Sequence, residues 1–208
     1  MAQDIKPTRT ELMRIKKQKL LAKSGYNLLK RKRDGLILEF FEVMKKAKTL
    51  RHELVEAYKK ADEKINLARV LEGDAEVKSV AKAVSSSPEV TVYTKNIVGV
   101  VVPKIEAANF QKKFYERGYG IYTPASINEA ADSYEKLGEK IVAVAEIETS
   151  MRKLIDEIEK TKRKVNALEF SVIPTLEKQQ SLISFRLQEM ERDNFVRLKL
   201  IKARLESN

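Results

Sequence analysis

The sequence predicts a mainly α-helical protein: a long antiparallel two-helix coiled coil with a small insert, holding a short helix and a β-hairpin, between the helices. Three observations lead there. An apolar stripe steps 3, 4, 3, 4 without slipping from Leu12 to Leu71, interrupted only by Lys19, Arg33 and Lys64. A second stripe runs from Ala130 to Leu205, and the β-branched residues gather in the interval between the two. A spacing averaging about 3.5 residues keeps one seam facing a partner helix, which marks a coiled coil.

The first helix has clear ends. Pro7 leads into Thr8, and Glu11 stands three residues on, the pattern of a capping box. The stripe continues through Ile15, Ala22, Tyr26, Leu29, Leu36, Phe40, Val43, Leu54 and Ala68 to Leu71, and Gly73 supplies a stop. The helical segment 8–72 would be a rod of roughly 95 Å at 1.5 Å per residue.

Residues 73–125 differ in kind. Asp74 to Val84 suits a short helix ended by Ser85-Ser86-Ser87-Pro88. Val90, Val92, Ile97 and the run Val98-Gly99-Val100-Val101-Val102 then carry strand character. The strand pair either turns at Lys95-Asn96 or joins Tyr115–Tyr122. The aromatics Tyr93, Phe110, Phe114, Tyr115, Tyr119 and Tyr122 are expected to form the core of this insert.

The second helix, 126–205, opens with Ser126 and Glu129 as another capping box. Its seam reads Ala130, Tyr134, Leu137, Ile141, Val144, Glu148, Met151, Ile155, Ile158, Lys162 and Val165. Near Asn166 the register slips, Leu168, Val172 and Leu176 follow at 3, 4 and 4, and the seam resumes through Ile183, Leu187, Met190, Leu198, Ile201 and Leu205. Pro174 lies inside the slip, removes one backbone hydrogen bond and should bend the helix. Folding back places both chain ends at one tip and the insert at the other. With Thr8 near residue 203, facing positions sum to about 211. Lys64 then meets Glu148, Arg33 meets Glu177, and Lys19 sits between Glu191 and Asp193, so all three cations in the first seam face acids.

Composition narrows the function. A third of the 208 residues are charged, Trp and Cys are missing, and there are 7 Gly and 5 Pro, a balance for solvated helices rather than a compact enzyme core. Lack of Cys rules out disulfides and thiolate metal sites and fits a reducing compartment. Met1 to Lys19 has no apolar signal region, and no run approaches the roughly 18 apolar residues needed to cross a bilayer; a soluble protein is expected. Phosphate loop, dinucleotide fingerprint and nucleophile elbow are all lacking. His52, the single His, falls between the seam positions Leu50 and Leu54 and so faces solvent. No catalytic residue, metal or cofactor is expected.

The net charge of +11 is concentrated. Met1 to Arg33 carries +9, which leaves +2 for the rest. Arg9, Arg14, Lys16 and Lys17 oppose the dipole of the first helix, and Arg197, Lys199, Lys202 and Arg204 join them at an antiparallel tip. Such a tip suits nucleic acid or an acidic protein socket. Stacking readout of nucleic acid is disfavoured, because Tyr26 is the only aromatic among these basic residues.

Several blocks carry a resemblance: Pro7-Thr8-Arg9-Thr10-Glu11-Leu12, Gly25-Tyr26-Asn27-Leu28-Leu29-Lys30-Arg31-Lys32-Arg33-Asp34, and Val98-Gly99-Val100 with Val102-Pro103. The most specific is Arg163-Lys164-Val165-Asn166-Ala167-Leu168-Glu169-Phe170 followed by Ile173-Pro174-Thr175-Leu176-Glu177, continued by Glu189 to Lys199. Together they resemble the D subunit of the V-type/archaeal (A-type) ATP synthase family over nearly the whole chain; Val98 stands where Met is commoner. The resemblance implies a non-catalytic central rotor stalk that couples ATP synthesis or hydrolysis to ion translocation by transmitting torque. It also implies its partners: the catalytic and regulatory A and B subunits of the head, the small F subunit of the stalk, and a membrane-side socket subunit of C/d type. The expected place is the cytoplasmic face of the membrane, peripherally within the complex. On that expectation Arg9, Arg14, Lys16, Lys17, Arg31, Arg197 and Lys199 form a bearing surface against acidic loops of the head. Asn166 and Pro174 make the shaft eccentric. A basic nucleic-acid-binding coiled coil or a self-associating scaffold is the rival reading.

Overall fold

A computed structural model describes residues 6–84, 89–108, 110, 116–120 and 122–206. The elements in order are α1 (Arg9–Glu72), α2 (Asp74–Ala83), β1 (Glu89–Ile97), β2 (Val100–Ala108), α3 (Ala125–Ala167), a π-helical turn (Leu168–Val172) and α4 (Ile173–Glu206). The chain divides into two compact units: Met1–Asp34 with Glu159–Asn208, and Gly35–Ile158. In each, a stretch of α1 runs antiparallel to the second long helix, so the coiled coil with its hairpin insert is the fold.

The α1 stripe is the seam. Every stripe position from Leu12 to Ala68 is buried or half-buried, with Ile15, Leu36, Ala61 and Ala68 almost wholly enclosed; Leu71 lies outside it, 62 % exposed. The start of α1 follows from Thr8, whose Oγ1 accepts the Glu11 N–H at 3.2 Å and whose carbonyl accepts the Leu12 N–H at 3.0 Å. Only half of the expected box forms, because the Glu11 carboxylate turns to Arg14. At the other end Gly73, at φ 90, stops the helix, a backbone region that favours glycine.

The second seam differs from its sequence reading. Ala130, Leu137 and Val165 are buried as the seam requires, but between them the buried residues are Ser150, Leu154 and Thr161, each one position before the expected Met151, Ile155 and Lys162. Met151 and Ile155 instead line an apolar groove with Phe40, Met44 and Ala47, which the paired Arg51 and Glu148 also line. Small hydroxyl side chains therefore take seam positions that a search for apolar residues passes over. The second capping box is not formed either. The Pro124 carbonyl receives the first helical N–H groups, from Ile127 and Asn128, while the Ser126 hydroxyl donates to Glu72 Oε1 at 3.0 Å.

In the unit Gly35–Ile158 the insert lies along the helices rather than beyond them. The hairpin turns at Val98-Gly99, with Ile97 opposite Val100, rather than at Lys95-Asn96, and among the described residues the strand that pairs with β1 is β2, not the segment 115–122. Both turn residues have positive φ (49 and 81), the geometry of a type I′ turn, and Asn96 Oδ1 accepts the Gly99 N–H at 2.8 Å. A lone two-stranded hairpin is marginal in water, so it needs a surface to lie on. Val100 and Val102 meet Leu36 and Leu154 in one buried cluster flanked by Phe40, Val43, Ile97 and Ile158, near the middle of α1. The outer edge of β2 is held to α3. There the Ile105 N–H donates to Glu146 Oε2 at 2.9 Å, and Lys153 Nζ donates to the Val101 carbonyl at 3.2 Å. A second cluster, Ala68, Val77 and Ile127, seats α2 against α1 and α3.

The expected aromatic core of the insert does not form as a whole. Tyr119 is buried and Phe110 is half-buried, but Tyr93 is 54 % and Tyr122 fully exposed. Valines on the hairpin's inner face, supported by the two helices, take that place instead. Phe114 and Tyr115, and the Ser85–Pro88 helix stop, lie outside the described residues.

Candidate functional site

The basic residues picked out at the tip belong to the unit Met1–Asp34 with Glu159–Asn208. Arg9, in the first turn of α1, pairs with Glu191 of α4 at 2.7 Å. Arg14 pairs with Glu11 one turn before it, which raises its pKa through hydrogen bonding and then Coulomb attraction. Lys16, Lys17, Arg31, Arg197 and Lys199 are all exposed, and Lys199 Nζ lies 5.4 Å over the Phe195 ring. Arg9 thus sits level with Glu191, and Arg197 and Lys199 follow it farther along α4.

The expected cross-seam pairs are replaced by others. Glu148 pairs with Arg51 at 2.5 Å rather than with Lys64, and Lys64 lies 3.7 Å from Glu129. Glu177 takes Lys19 at 3.2 Å and Lys23 at 3.1 Å, and Arg33 bonds its neighbour Asp34 at 2.8 Å. The register is displaced from the expected one by about a dozen residues, a little over three helical turns. The reason is that the helices do not end flush: α4 continues from Arg192 to Glu206 beyond the partner of Arg9. Ion pairs this open to solvent add little, so the buried seam, not the charges, sets the register.

That continuation of α4 corrects the sequence reading, which carried the second seam through Leu198, Ile201 and Leu205. Every described side chain from Glu191 to Leu205 is exposed, including Phe195, Val196, Leu198, Leu200, Ile201 and Leu205. The signal was present: the apolar residues here fall on adjacent positions and so surround the helix, where a two-helix seam would gather them in one stripe. Interspersed Arg192, Arg197, Lys199, Lys202 and Arg204 make the same stretch basic. An apolar and cationic helix end of this kind is complementary to a sleeve with an apolar lining and acidic groups.

Between Asn166 and Pro174 the backbone winds as the π-helical turn. The Ile173 N–H donates to the Leu168 carbonyl, an i to i−5 bond. Pro174 has no N–H to give the Phe170 carbonyl, and the widened turn before it accommodates that loss. Phe170 stands out from this turn, exposed.

In the other unit two features meet near the end of α1. Leu67, Val70, Leu71 and Tyr122 form exposed apolar surface there. Close by is a buried ion cluster that nothing in the sequence patterns flagged. Arg117, 4 % exposed, donates from Nε to Glu135 Oε1 and from one Nη to Glu135 Oε2, both at 2.9 Å. The same Nη reaches Asp132 Oδ1, and the other Nη lies 3.4 Å from the Tyr119 hydroxyl, which donates to Asn128 Oδ1 at 2.9 Å. Hydrogen bonding to Glu135, outweighing desolvation, pushes the Arg117 pKa well above its ordinary value. The recoverable signal was the spacing of Asn128, Asp132 and Glu135, which puts three acceptors on one helical face.

The ion pairs are mostly exposed, and His52 faces solvent beside Glu56 at 3.4 Å. Among the described residues there is no group of three or more His, Cys, Asp or Glu placed to hold a metal ion, and no helix is long and apolar enough to cross a membrane. What the surfaces can do is bind other proteins.

Comparisons with known proteins give the family. The family model for the ATP synthase D subunit matches residues 11–203. The A-type ATP synthase D subunit of Methanosarcina acetivorans is 55 % identical over 206 residues, covering 99 % of each chain. Its counterpart in Methanosarcina mazei is 54 % identical over 204 residues (98 % of each chain), and that of Halorubrum lacusprofundi 48 % identical over 204 residues, 98 % of this chain and 90 % of its own. With the family model matched over residues 11–203 and about half of all positions identical along the full length of these relatives, the chain belongs to the family of ATP synthase D subunits.

Proposed function

We propose that this chain is the central rotor stalk of an A-type ATP synthase, transmitting torque between a catalytic head and an ion-translocating membrane part without catalysing a reaction itself. The observation that carries this reading is the end of α4 past Glu191. It is apolar and basic on all sides, and exposure of that much unpartnered apolar surface calls for an enclosing partner. A head built from A and B subunits supplies such an enclosure. Arg9, Arg14, Lys16, Lys17, Arg31, Arg197 and Lys199 then meet its acidic groups as the stalk turns. The exposed end at Leu67, Val70, Leu71 and Tyr122 meets the membrane-side socket subunit, and the small F subunit binds along the stalk. On this reading the protein works at the cytoplasmic face of the membrane. Segments 8–72, 73–125 and 126–205 serve as first helix, insert and second helix.

Rotation requires the shaft to present different faces to equivalent surrounding subunits, so that each shifts in affinity in turn. The π-helical turn and Pro174 break the regularity of the helix and support such eccentricity.

Affinity purification of the tagged chain from native extract, followed by mass spectrometry, tests the proposal. The expected result is co-purification with the A, B and F subunits. Recovery of salt-sensitive nucleic acid, or of homo-oligomers alone, would overturn it in favour of a nucleic-acid-binding coiled coil or a scaffold. Reversing the charges at Arg197 and Lys199 is expected to weaken assembly or coupled hydrolysis; unchanged behaviour would remove the bearing role.

A further inference from the structure

The stretch of insert that returns to α3 is fastened to that helix at successive points on one face. The Phe110 ring lies over Gly138, so closely that a Cβ there would come within 2.7 Å of it. Arg117 follows on Glu135 and Asp132, and Tyr119 on Asn128. Positions 128, 132, 135 and 138 succeed one another at spacings of 4, 3 and 3, a single helical face.

The central fastening has a specific chemistry. A buried guanidinium left without partners costs several kcal/mol, so the Arg117 site holds only while its fork and both carboxylates keep their geometry. A planar fork bonded to two oxygens of one carboxylate resists sliding and rotation in a way an apolar contact does not. Three residues after Tyr119 comes Tyr122, fully exposed, at the end that carries exposed Leu67, Val70 and Leu71. Ser126 also bonds Glu72 there, tying the start of α3 to the end of α1.

We propose that Arg117 is a positioning residue that locks the Tyr122 end of the insert to α3, so that load applied at that end reaches the long helices through an ion cluster rather than a pliant loop. The proposal rests on the rotor reading above, and it assigns to Arg117 a role in coupling rather than in assembly or hydrolysis.

The test is Arg117→Met in the reconstituted whole complex, with Arg117→Lys as the conservative variant and Asp132→Asn/Glu135→Gln as an independent way to open the cluster. Three quantities are read: amide exchange over residues 116–120 and 122–137, ATP hydrolysis, and ATP-driven ion uptake into proteoliposomes. Arg117→Met is expected to speed exchange in these stretches by about tenfold while the rest of α3 keeps its protection. Hydrolysis is expected to persist and ion uptake per ATP to be mostly lost, with Arg117→Lys in between. If Arg117→Met prevents assembly, the double carboxylate variant gives the same readings. Faster exchange with wild-type uptake per ATP would overturn the proposal, as would unchanged exchange. Failure of the wild-type chain to enter any ATP-hydrolysing complex would instead overturn the rotor reading, and the coupling role of Arg117 with it.

Discussion

The stripe of α1 is buried in two different settings. Around Leu36 three elements converge, since Leu154 of α3 and Val100 and Val102 of the hairpin close over it. Around Ile15 and Lys19, among the described residues, two helices alone meet, and the seam admits polar groups: Lys19 bonds Gln180 at 3.3 Å and Glu177 at 3.2 Å. The same sequence pattern therefore yields a dry cluster where a third layer covers it and a wet seam where none does. A third layer, not the heptad alone, makes a coiled coil stiff locally.

The sharpest way to break this comparison is to truncate one residue in each setting. Leu154→Ala is expected to cost about 3–4 kcal/mol, because neighbours on three elements hinder collapse of the cavity. Ile183→Ala, in the two-helix seam and equally buried, is expected to cost about 2–3 kcal/mol. Denaturant midpoints with local exchange data would check both, and equal or reversed costs would refute the three-layer account. Glycines give a second contrast. Gly138→Ala would force the Phe110 ring away, at about 1–3 kcal/mol. Gly25→Ala, with nothing within 4 Å of the added methyl, should instead stabilise α1 by about 0.5–1 kcal/mol. Thermal melts would show shifts of opposite sign.

Val98 offers a gain where the hairpin is strained. A β-branched residue at φ 49 is unfavourable, and Val98→Asn should stabilise the type I′ turn by about 1 kcal/mol. An unchanged or lower melting temperature would mean that the Val98 contact near Gly35 matters more than its backbone.

The smallest effect concerns the wet seam. Hydrogen bonds from Lys23 and then Lys19 hold the Glu177 carboxyl below its ordinary pKa. A depressed carboxyl adds stability above its unfolded pKa and loses it as pH falls through the folded value. Lowering the pH through and below the ordinary carboxylate range should therefore remove a small, salt-screened increment, and Glu177→Gln should abolish that part of the pH dependence. An undiminished dependence in Glu177→Gln would move the effect elsewhere.

Most of the architecture was legible in the residues because burial imposes a period. The α1 seam could be read position by position, as could the Thr8 start, the Gly73 stop and α2. Elsewhere the rules competed. Ser150 and Thr161 occupy seam positions because closely approaching helices accept small side chains, which a count of apolar residues misses. Val98-Gly99 reads as strand by propensity and is a turn by geometry. The end-to-end register was out of reach, since a 3–4 repeat fits equally well after sliding by whole turns. Arg117 was unreadable for another reason: its value comes from Asp132 and Glu135, brought to it by the fold.

The π-helical turn from Leu168 to Val172 has a consequence for how such chains change length. Each residue of an α-helix advances about 100° in azimuth, so one surplus residue in a helix must either rotate everything after it or be absorbed. Here it is absorbed in one widened turn, with Val165 before it and Ile183 after it both buried. Deleting a single residue within 168–172 would therefore restore an ordinary helix and leave Ile183 in the seam, whereas deleting one elsewhere between Val165 and Ile183 would swing Ile183 out by about a quarter turn. The turn works as a frame-corrector, so the melting temperature should survive a one-residue deletion within it far better than the same deletion in the regular helix on either side.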